Sequence, residues 1–266
     1  MEEDYIGINK NSWNSKVDLH FNSVFYNVPD FLQRKNSLKE IELMMLGDIK
    51  GKSILHLQCH FGMDSISLAT LGAEVVGVDF SDRAIAKAEE LNNLVNADAK
   101  FICSDVYSLP SHLHQKFDIV FTSYGTIGWL PDLNRWASVI SHFLKDNGRF
   151  VFVEFHPIAW MFDDHFEKIH YGYFNSGKFY ESQLGTYAET NDITSFDYVW
   201  WNHSTSEVLN SLLRNGMQLK SFDEFDYSPY DCFKRTKQLA PDKFVIEHLQ
   251  NKIPLVFSLE AIKKMI

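Results

Sequence analysis

The feature that most constrains the fold is a series of short apolar segments that alternate with helical patterns between residues 50 and 156. Five such segments occur, at residues 53–57, 74–78, 101–103, 117–123 and 149–155. Uninterrupted apolar strands separated by helices are typical of a parallel sheet that helices cover on both faces. The pattern therefore predicts an α/β fold with a doubly wound, mostly parallel sheet. Ligands bind such sheets at the carboxyl ends of the strands, near the point where the strand order reverses.

The alternation stops after residue 156 and resumes near residue 204. The stretch 157–203 is rich in Trp, Tyr and Phe, and a connection of that length indicates an insertion or lid subdomain. Its aromatic side chains either cover a ligand or form a secondary hydrophobic core or a dimer surface, and the sequence leaves these alternatives open. Within it, a hairpin is predicted to turn at Asn175-Ser176-Gly177.

The remaining chain is predicted to form one main domain with a cap. Residues 37–156 and 204–266 carry the strands and helices of that domain, and the last apolar segment lies at 253–259. Residues 1–36 form a predicted N-terminal cap segment, in which Trp13, Phe25 and Tyr26 are available to close over a bound ligand.

Charge and cysteine content exclude several function classes. The net charge of −10 argues against a protein that grips nucleic acid through phosphates, because such binding needs clustered Lys and Arg. No apolar run approaches the ~20 residues of a membrane span, and the acidic start MEEDYIGINKN is not a signal peptide. Three widely separated cysteines do not form a disulfide framework. We therefore expect a cytoplasmic protein without nucleic-acid or membrane partners, as a monomer or a homodimer.

The stretch LHLQCHFG, residues 55–62, admits two interpretations. Its His56, Cys59 and His60 suggest a metal site, but structural zinc needs a second ligand cluster and the sequence offers none nearby. For Cys59 a small buried residue in a tight turn is the simpler expectation. The same stretch is also an apolar strand that enters a loop and then a helix, as in nucleotide sites. We therefore predict no metal.

Two further strand ends favour the nucleotide interpretation. Gln58 and Asp79 lie 21 positions apart, close to the ~20 that separate a glycine loop from the acidic residue holding ribose hydroxyls. At the next strand end, Asp105 can accept from an adenine amine while the backbone N–H of Val106 donates to a ring nitrogen. Taken singly, each aspartate could instead be a polar strand end that begins a turn.

These motifs resemble those of the class I S-adenosylmethionine-dependent methyltransferase family. LHLQCHFGMDSISLATLGAEVVGVDFS is similar to the family's first two motifs and FICSDVYSLP to its third, and residues 117–155 resemble its fourth and fifth strands. The resemblance covers 50–155 well and 204–266 loosely. It implies a seven-stranded sheet with an antiparallel last strand, S-adenosyl-L-methionine as cofactor, and methyl transfer to an O, N, C or S atom.

The first motif departs from the family pattern. His56 stands where the family has an acidic residue, and Gln58 and His60 replace two glycines. Either Gln58, His60 or Asp64 then compensates for the acid that normally holds the cofactor's ammonium group, or the affinity for the cofactor is weak. The resemblance further implies that Phe80 packs on the adenine. The full set of implied cofactor-binding residues is His56, Gln58, His60, Gly62, Asp64, Asp79, Phe80, Asp105, Val106 and Ser123.

Methyl transfer needs a well-placed nucleophile more than a catalytic motif, because holding the reactants in line supplies much of the acceleration. Candidate bases at strand ends are Tyr124, Glu154 and His156, the last with an extended backbone before Pro157. The family's Pro-Pro-Tyr type motif of nucleic-acid enzymes is missing after the fourth strand, which favours a small-molecule acceptor. Two alternatives remain: a nicotinamide-dependent oxidoreductase, which needs the missing glycines, and a degenerate member that binds a ligand or partner without catalysis.

Overall fold

The computed structural model describes residues 4–264; residues 1–3 of the predicted cap segment and 265–266 of the main domain lie outside the described residues. The strands are β1 Ser53–Leu57, β2 Glu74–Asp79, β3 Lys100–Cys103, β4 Phe117–Ser123, β5 Leu144–Phe155, β6 Phe179–Leu184, β7 Ser195–Trp200, β8 Met217–Phe225, β9 Thr236–Ala240, β10 Lys243–Ile246 and β11 Val256–Lys263. The α-helices are α1 Tyr5–Phe21, α2 Val28–Arg34, α3 Glu40–Leu46, α4 Met63–Thr70, α5 Asp82–Val95, α6 Leu133–Phe143 and α7 Thr205–Arg214.

Seven strands form one sheet in the order β3-β2-β1-β4-β5-β11-β8. The pairs from β3 through to β5 are parallel, and β11 runs antiparallel to both of its neighbours, β5 and β8. The prediction of a mostly parallel, seven-stranded sheet with an antiparallel last strand is confirmed. Residues 146–148 lie inside β5, where the register with β4 shifts between Phe117 and Ile119.

Helices bury both faces of the sheet. On one face, α6 presents Leu133, Trp136, Ile140 and Phe143, which all are 1 % exposed or less and follow helical spacing. Asp132 caps this helix by accepting from two backbone N–H groups of its first turn. The other face packs α4 and α5 through two separate apolar clusters. The sheet therefore holds its strand ends in a rigid frame between two helical layers.

The insertion contains a hairpin, but the predicted turn at 175–177 is wrong. Strand β6 pairs with β7 from Phe179↔Trp200 to Leu184↔Ser195, so the chain reverses within 185–194. Residues 171–178 are irregular and offer β6 no partner. The strand that completes the hairpin lies after the expected turn, where alternating aromatic side chains at Phe196, Tyr198 and Trp200 supply cross-strand contacts.

The N-terminal helix α1 lies across the hairpin and the main domain. It packs on β7 and on α5, and ion pairs join Lys10 to Asp82 and Arg83 to Asp18. The side-chain amide of Asn9 donates to the carbonyl of Val199 and accepts from its N–H, both at 2.8 Å. Helix α1 is thereby fixed above the carboxyl ends of the strands. Among residues 4–264, no helix is long and apolar enough to cross a membrane.

Candidate functional site

The strand order reverses at β1, which has β2 on one side and β4 on the other. A cavity of about 1240 Å³ opens there, between the strand ends and the cover made by α1 and the insertion. This is the place where ligands bind open α/β sheets. Of the thirteen predicted site residues, all except His156 line the cavity: His56, Gln58, His60, Gly62, Asp64, Asp79, Phe80, Asp105, Val106, Ser123, Tyr124 and Glu154.

The loop after β1 puts two non-glycine residues in the left-handed region. Gln58 has a φ of 56° and His60 a φ of 50°, where glycine is normally favoured. The Gln58 amide nitrogen donates to the carbonyl of Thr126 at 2.8 Å. Its buried oxygen, Oε1, has no hydrogen-bond partner among the described residues. Buried polar atoms are nearly always paired, so this acceptor at the cavity wall is a candidate contact for a ligand donor.

His60 belongs to an aromatic cluster between the β1 loop and α1. Its Nε2 lies 3.1 Å from Nδ1 of His20, and Trp13 and Tyr26 pack against its ring. Burial, with a smaller effect of Lys16, lowers the pKa of His60 to about 3. Burial likewise lowers the pKa of His20 to about 2. Both rings are therefore neutral, so His60 supplies packing and shape and does not replace the missing acidic charge.

These neutral rings predict a loss of stability in mild acid. Histidine in the unfolded chain has a pKa of about 6.5. Below that pH the unfolded chain therefore binds protons that His20 and His60 do not bind in the folded chain, which favours unfolding. Glu42 and Asp79, whose pKa burial raises to about 7 and about 6, take up protons in the folded state and offset part of the loss. The contribution of neutral His20 and His60 to the free energy of unfolding is thus fully present above pH 6.5, and it decreases as the pH falls below that value.

A His20→Gln variant isolates one of these contributions. Its free energy of unfolding should fall less between about pH 7.5 and pH 5.5 than that of the unmodified chain, by about 1 kcal/mol. Urea denaturation at both pH values measures the difference. His114→Gln, on the exposed surface, is the matched control. Equal pH dependence in the His20→Gln variant and the unmodified chain would contradict a buried neutral His20.

Asp79 ends β2 with its side chain 8 % exposed. One carboxylate oxygen accepts from the backbone N–H of His60 and the other from that of Ser81, both at 2.9 Å. Burial raises its pKa to about 6, and the backbone donors oppose that rise. A carboxylate has about four acceptor sites. Acceptor capacity therefore remains on this carboxylate, and its contact with vicinal hydroxyls stays a prediction.

Asp105 serves first as a turn residue. Its Oδ1 accepts from the N–H groups of Tyr107 and Ser108, and its Oδ2 from the Ser108 hydroxyl. This geometry favours the alternative in which Asp105 begins a turn, and its contact with an adenine amine stays a prediction. The neighbouring Val106 is 4 % exposed and lines the cavity, so it offers an apolar wall beside that position.

Asp64 lies in the first turn of α4, beside the β1 loop. Its carboxylate accepts from the hydroxyls of Ser37 at 2.6 Å and of Ser123 at 3.2 Å. Asp64 and the Gln58 oxygen thus put acceptors at the wall of one cavity. His56, which stands in the family's acidic position, bonds Ser65 instead, and burial lowers its pKa to about 4. A neutral His56 cannot hold an ammonium group by charge.

Gly62 is required by packing. It has a φ of 76°, and a Cβ there would lie 2.7–2.8 Å from the side chains of Phe101 and Ala88. The glycine therefore allows the start of α4 to approach β3 and α5. Its predicted role in letting the backbone approach a cofactor stays a prediction.

The structure argues against two of the three predicted bases. The Glu154 carboxylate is 2 % exposed and accepts from the N–H groups of Thr126 and Ile127, from the Thr126 hydroxyl, and from the N–H groups of Gly125 and Phe155. With its acceptor sites occupied, it fixes the loop after β4. Tyr124 lines the cavity, but its hydroxyl donates to Glu42 at 2.9 Å, so burial and that contact keep it protonated.

His156 is wrongly predicted as a cavity residue. Its Nδ1 accepts from the Ile158 N–H, and Nε2 lies 2.8 Å from a carboxylate oxygen of Glu224 on β8, although without hydrogen-bond geometry. The ring therefore turns towards the far side of β11. The sequence could not indicate this, because it depends on which strands lie beside the end of β5.

The metal-type spacing of the loop after β1 does not form a cluster. His56 bonds Ser65, His60 contacts His20, and Cys59 is buried with its N–H donating to Val78. Within residues 4–264, no group of three or more His, Cys, Asp or Glu side chains is arranged to hold a metal ion.

Several cavity residues lie outside the thirteen predicted site residues, although Trp13 is among those expected to close over a ligand. Lys16 and Trp13 on α1, Trp129 after β4 and Tyr198 on β7 form one wall of the cavity. Trp13 and Lys16 are one helical turn apart, which is a weak signal for a shared face. Their meeting with Trp129 and Tyr198 depends on the packing of α1 against the insertion, which the sequence does not encode locally.

The comparisons with known proteins agree with this geometry. Residues 55–150 match the family described as a methyltransferase domain. The chain is similar to the ubiquinone biosynthesis O-methyltransferase of Coxiella burnetii, with 31% identity over 115 residues, which are 43% of this chain and 47% of that protein. It also resembles a putative ribosomal RNA large subunit methyltransferase of Methanocaldococcus jannaschii, with 33% identity over 34% of this chain and 24% of the relative.

The chain spans about half the length of the first of these relatives. Among solved structures, an S-adenosylmethionine-dependent methyltransferase from Clostridium acetobutylicum superimposes with a TM-score of 0.57 at 14% identity, covering 97% of this chain and 99% of the other. An identity this low shows a shared fold.

Proposed function

We propose that this chain, whose residues 55–150 match the family described as a methyltransferase domain, is an enzyme that transfers a methyl group from S-adenosyl-L-methionine to a small-molecule acceptor. The observation that carries the proposal is the cavity at the β1 switch point, where Asp79 and the unpaired Gln58 oxygen face one space. A nicotinamide oxidoreductase needs glycines for a pyrophosphate, and Gln58 and His60 occupy those positions.

The residues present fit the cofactor's polar groups. Asp79 has acceptor sites left for the ribose hydroxyls, and Val106 with Phe80 supplies apolar walls for the adenine. The unpaired Oε1 of Gln58, together with the Asp64 carboxylate, would accept from the ammonium group in place of the family's acidic residue. When bound, S-adenosyl-L-methionine supplies a methyl group on a positively charged sulfur.

The chain itself contributes position and exclusion of water. Glu154 fixes the loop after β4 by accepting from backbone N–H groups of that loop. The loop would therefore form a rigid surface against which the acceptor binds. Helix α1 and the insertion cover the strand ends, so they would shield bound reactants from water. In this proposal residues 1–36 form an N-terminal cap segment, residues 157–203 an insertion or lid subdomain, and residues 37–156 with 204–266 the cofactor-binding domain.

The size of the cavity supports a second ligand. At about 1240 Å³ it exceeds the ~300–1,000 Å³ typical of a single small-molecule site. The acceptor side is walled by Trp129 and the insertion aromatics, so a flat or apolar body fits there. The named activity of the Coxiella relative, O-methylation in ubiquinone biosynthesis, supports an oxygen on such a body as the methylated atom.

Calorimetry tests the proposal directly. We expect S-adenosyl-L-methionine and S-adenosyl-L-homocysteine to bind, and NAD not to bind. If neither sulfur compound binds, the proposed function fails. If both bind but a screen of small-molecule methyl acceptors yields no methylated product, the chain is a non-catalytic member of the fold.

Gln58 offers a sharper test of cofactor placement. Gln58→Leu should lower the affinity for S-adenosyl-L-homocysteine about 10-fold, because a buried hydrogen-bond donor on the ligand loses its acceptor. It should leave 5′-methylthioadenosine, which has no amino-acid group, within about twofold. Gln58→Glu restores an oxygen acceptor and should restore binding. If Gln58→Leu lost the same factor of affinity for both ligands, Gln58 would act by holding the β1 loop in place and would not contact the ammonium group.

A further inference from the structure

Lys16 is a buried cation without an ionic partner. Its residue is 7 % exposed and lines the cavity. Four aromatic rings surround the ammonium nitrogen at 5.2–6.0 Å from their centroids, namely those of Trp13, Trp129, Phe196 and Tyr198. Within the described residues 4–264, no carboxylate lies within ion-pair distance of it and no hydrogen bond of its ammonium group occurs.

The other basic residues that line the cavity have carboxylate partners. Arg34 pairs with Asp30 at 3.0 Å, Lys39 with Asp242 at 2.8 Å, and Lys234 with Asp164 at 2.7 Å. In a chain of net charge −10, an unpaired lysine inside the main cavity is therefore a specific feature of this site.

Burying an ammonium group is unfavourable unless another group replaces water. Aromatic faces replace part of that interaction, by up to ~2 kcal/mol for a desolvated cation. Burial still lowers the pKa of Lys16 to about 8, so the group keeps its charge at neutral pH. An anionic group of a ligand would supply the ion-pair partner that the Lys16 ammonium group lacks.

The position of Lys16 relates this anion to the acceptor. The four rings come from α1, from the loop after β4 and from β7, and none belongs to the ends of β2 and β3, where the cofactor's ribose and adenine are proposed to bind. Trp13 also packs against His60, so the ammonium group lies where the β1 loop meets α1 and β7. A single ammonium with no arginine or second lysine beside it matches the single charge of a carboxylate better than a phosphate dianion. The aromatic walls match a flat apolar body.

We propose that the methyl acceptor is a small organic acid and that its carboxylate pairs with the Lys16 ammonium inside the aromatic wall formed by Trp13, Trp129, Phe196 and Tyr198. The proposal rests on the proposed function and names the substrate class of that site. Lys16 is thus a specificity-determining residue that holds the acid group while the body of the acceptor extends towards the strand ends.

The probes are benzoate and its uncharged counterpart benzamide, titrated into the protein with and without S-adenosyl-L-homocysteine. The fluorescence of Trp13 and Trp129, which border Lys16, reports binding. We expect benzoate to bind at least 10-fold more tightly than benzamide. Lys16→Met should remove that preference and Lys16→Arg should retain most of it. Lys10→Met, on the same helix but paired with Asp82 outside the cavity, should behave as the unmodified chain.

Three results would overturn the inference. The first is equal binding, or no binding, of benzoate and benzamide by the unmodified chain. The second is a benzoate preference that survives in Lys16→Met. The third is a 10-fold loss of S-adenosyl-L-homocysteine in Lys16→Met with 5′-methylthioadenosine unaffected, because Lys16 would then hold the cofactor's carboxylate. The titration without S-adenosyl-L-homocysteine keeps this test separate from the proposed function, which fails only when the unmodified chain binds neither sulfur compound.

Discussion

Replacing Gly62 by alanine should lower the free energy of unfolding by about 3 kcal/mol. The new Cβ would lie 2.7–2.8 Å from Phe101 and Ala88, so the start of α4 must move away from β3 and α5. Overpacking of this kind costs ~1–3 kcal/mol, and a left-handed backbone adds ~1–2 kcal/mol for alanine. Urea denaturation of the purified variant measures the loss.

Gly216 is the matched control for this change. It has a similar φ of 78°, but a Cβ added there would have no atom within 4 Å. Gly216→Ala should therefore lose only the ~1–2 kcal/mol of the backbone conformation. Equal losses at the two positions would mean that α4 moves freely and that packing does not require Gly62.

Replacing Asp79 by alanine should weaken S-adenosyl-L-homocysteine by about 100-fold or more. The carboxylate is proposed to accept two hydrogen bonds from the ribose, and bonds to a charged group contribute ~1.5–3 kcal/mol each. It also holds the N–H groups of His60 and Ser81, so the variant loosens the β1 loop as well. Calorimetry measures the affinity, and thermal denaturation shows whether the fold survives.

A ligand comparison separates the two effects of Asp79→Ala. The unmodified chain should bind 5′-methylthioadenosine far more tightly than its 2′,3′-dideoxy counterpart, while Asp79→Ala should bind the two about equally. Asp82→Ala removes a nearby carboxylate that is paired with Lys10, and its affinities should stay within about twofold of the unmodified chain. A hydroxyl preference that persists in Asp79→Ala would disprove the ribose contact.

The sheet was predictable because its signal is local. Each strand is an apolar run, and the helix faces follow from spacing, as with Leu133, Trp136 and Ile140 on α6. The fold then follows from general rules on how such strands and helices pack. The predicted hairpin failed for a related reason. Asn175-Ser176-Gly177 has turn chemistry, but the partner of β6 lies beyond residue 194 and no local signal identifies it.

The site was predictable where strand ends converge and unpredictable where distant elements meet. Asp79 is the last residue of β2 and Gln58 directly follows β1, so both lie at the cavity. Their hydrogen-bond partners, however, include residues far away in the sequence. Gln58, for example, donates to the carbonyl of Thr126, 68 positions later. Lys16 and His156 show the same limit of prediction: Lys16 lines the cavity without being a predicted site residue, and His156 is a predicted site residue that does not line it. Lys16 reaches the cavity through the packing of α1 against β7, and the His156 ring turns towards Glu224 on β8.

The bond between Asn9 and Val199 also bears on self-association. Strand β7 pairs with β6 along one side only, and the Asn9 amide occupies the N–H and carbonyl of Val199 on the other side. An open strand edge is a template for pairing with another chain. The same hairpin exposes Leu184 at 68 % and Ile193 at 88 %. A chain shortened past α1 should thus uncover the cavity and an unpaired strand edge together, and we expect it to aggregate more readily than the full chain.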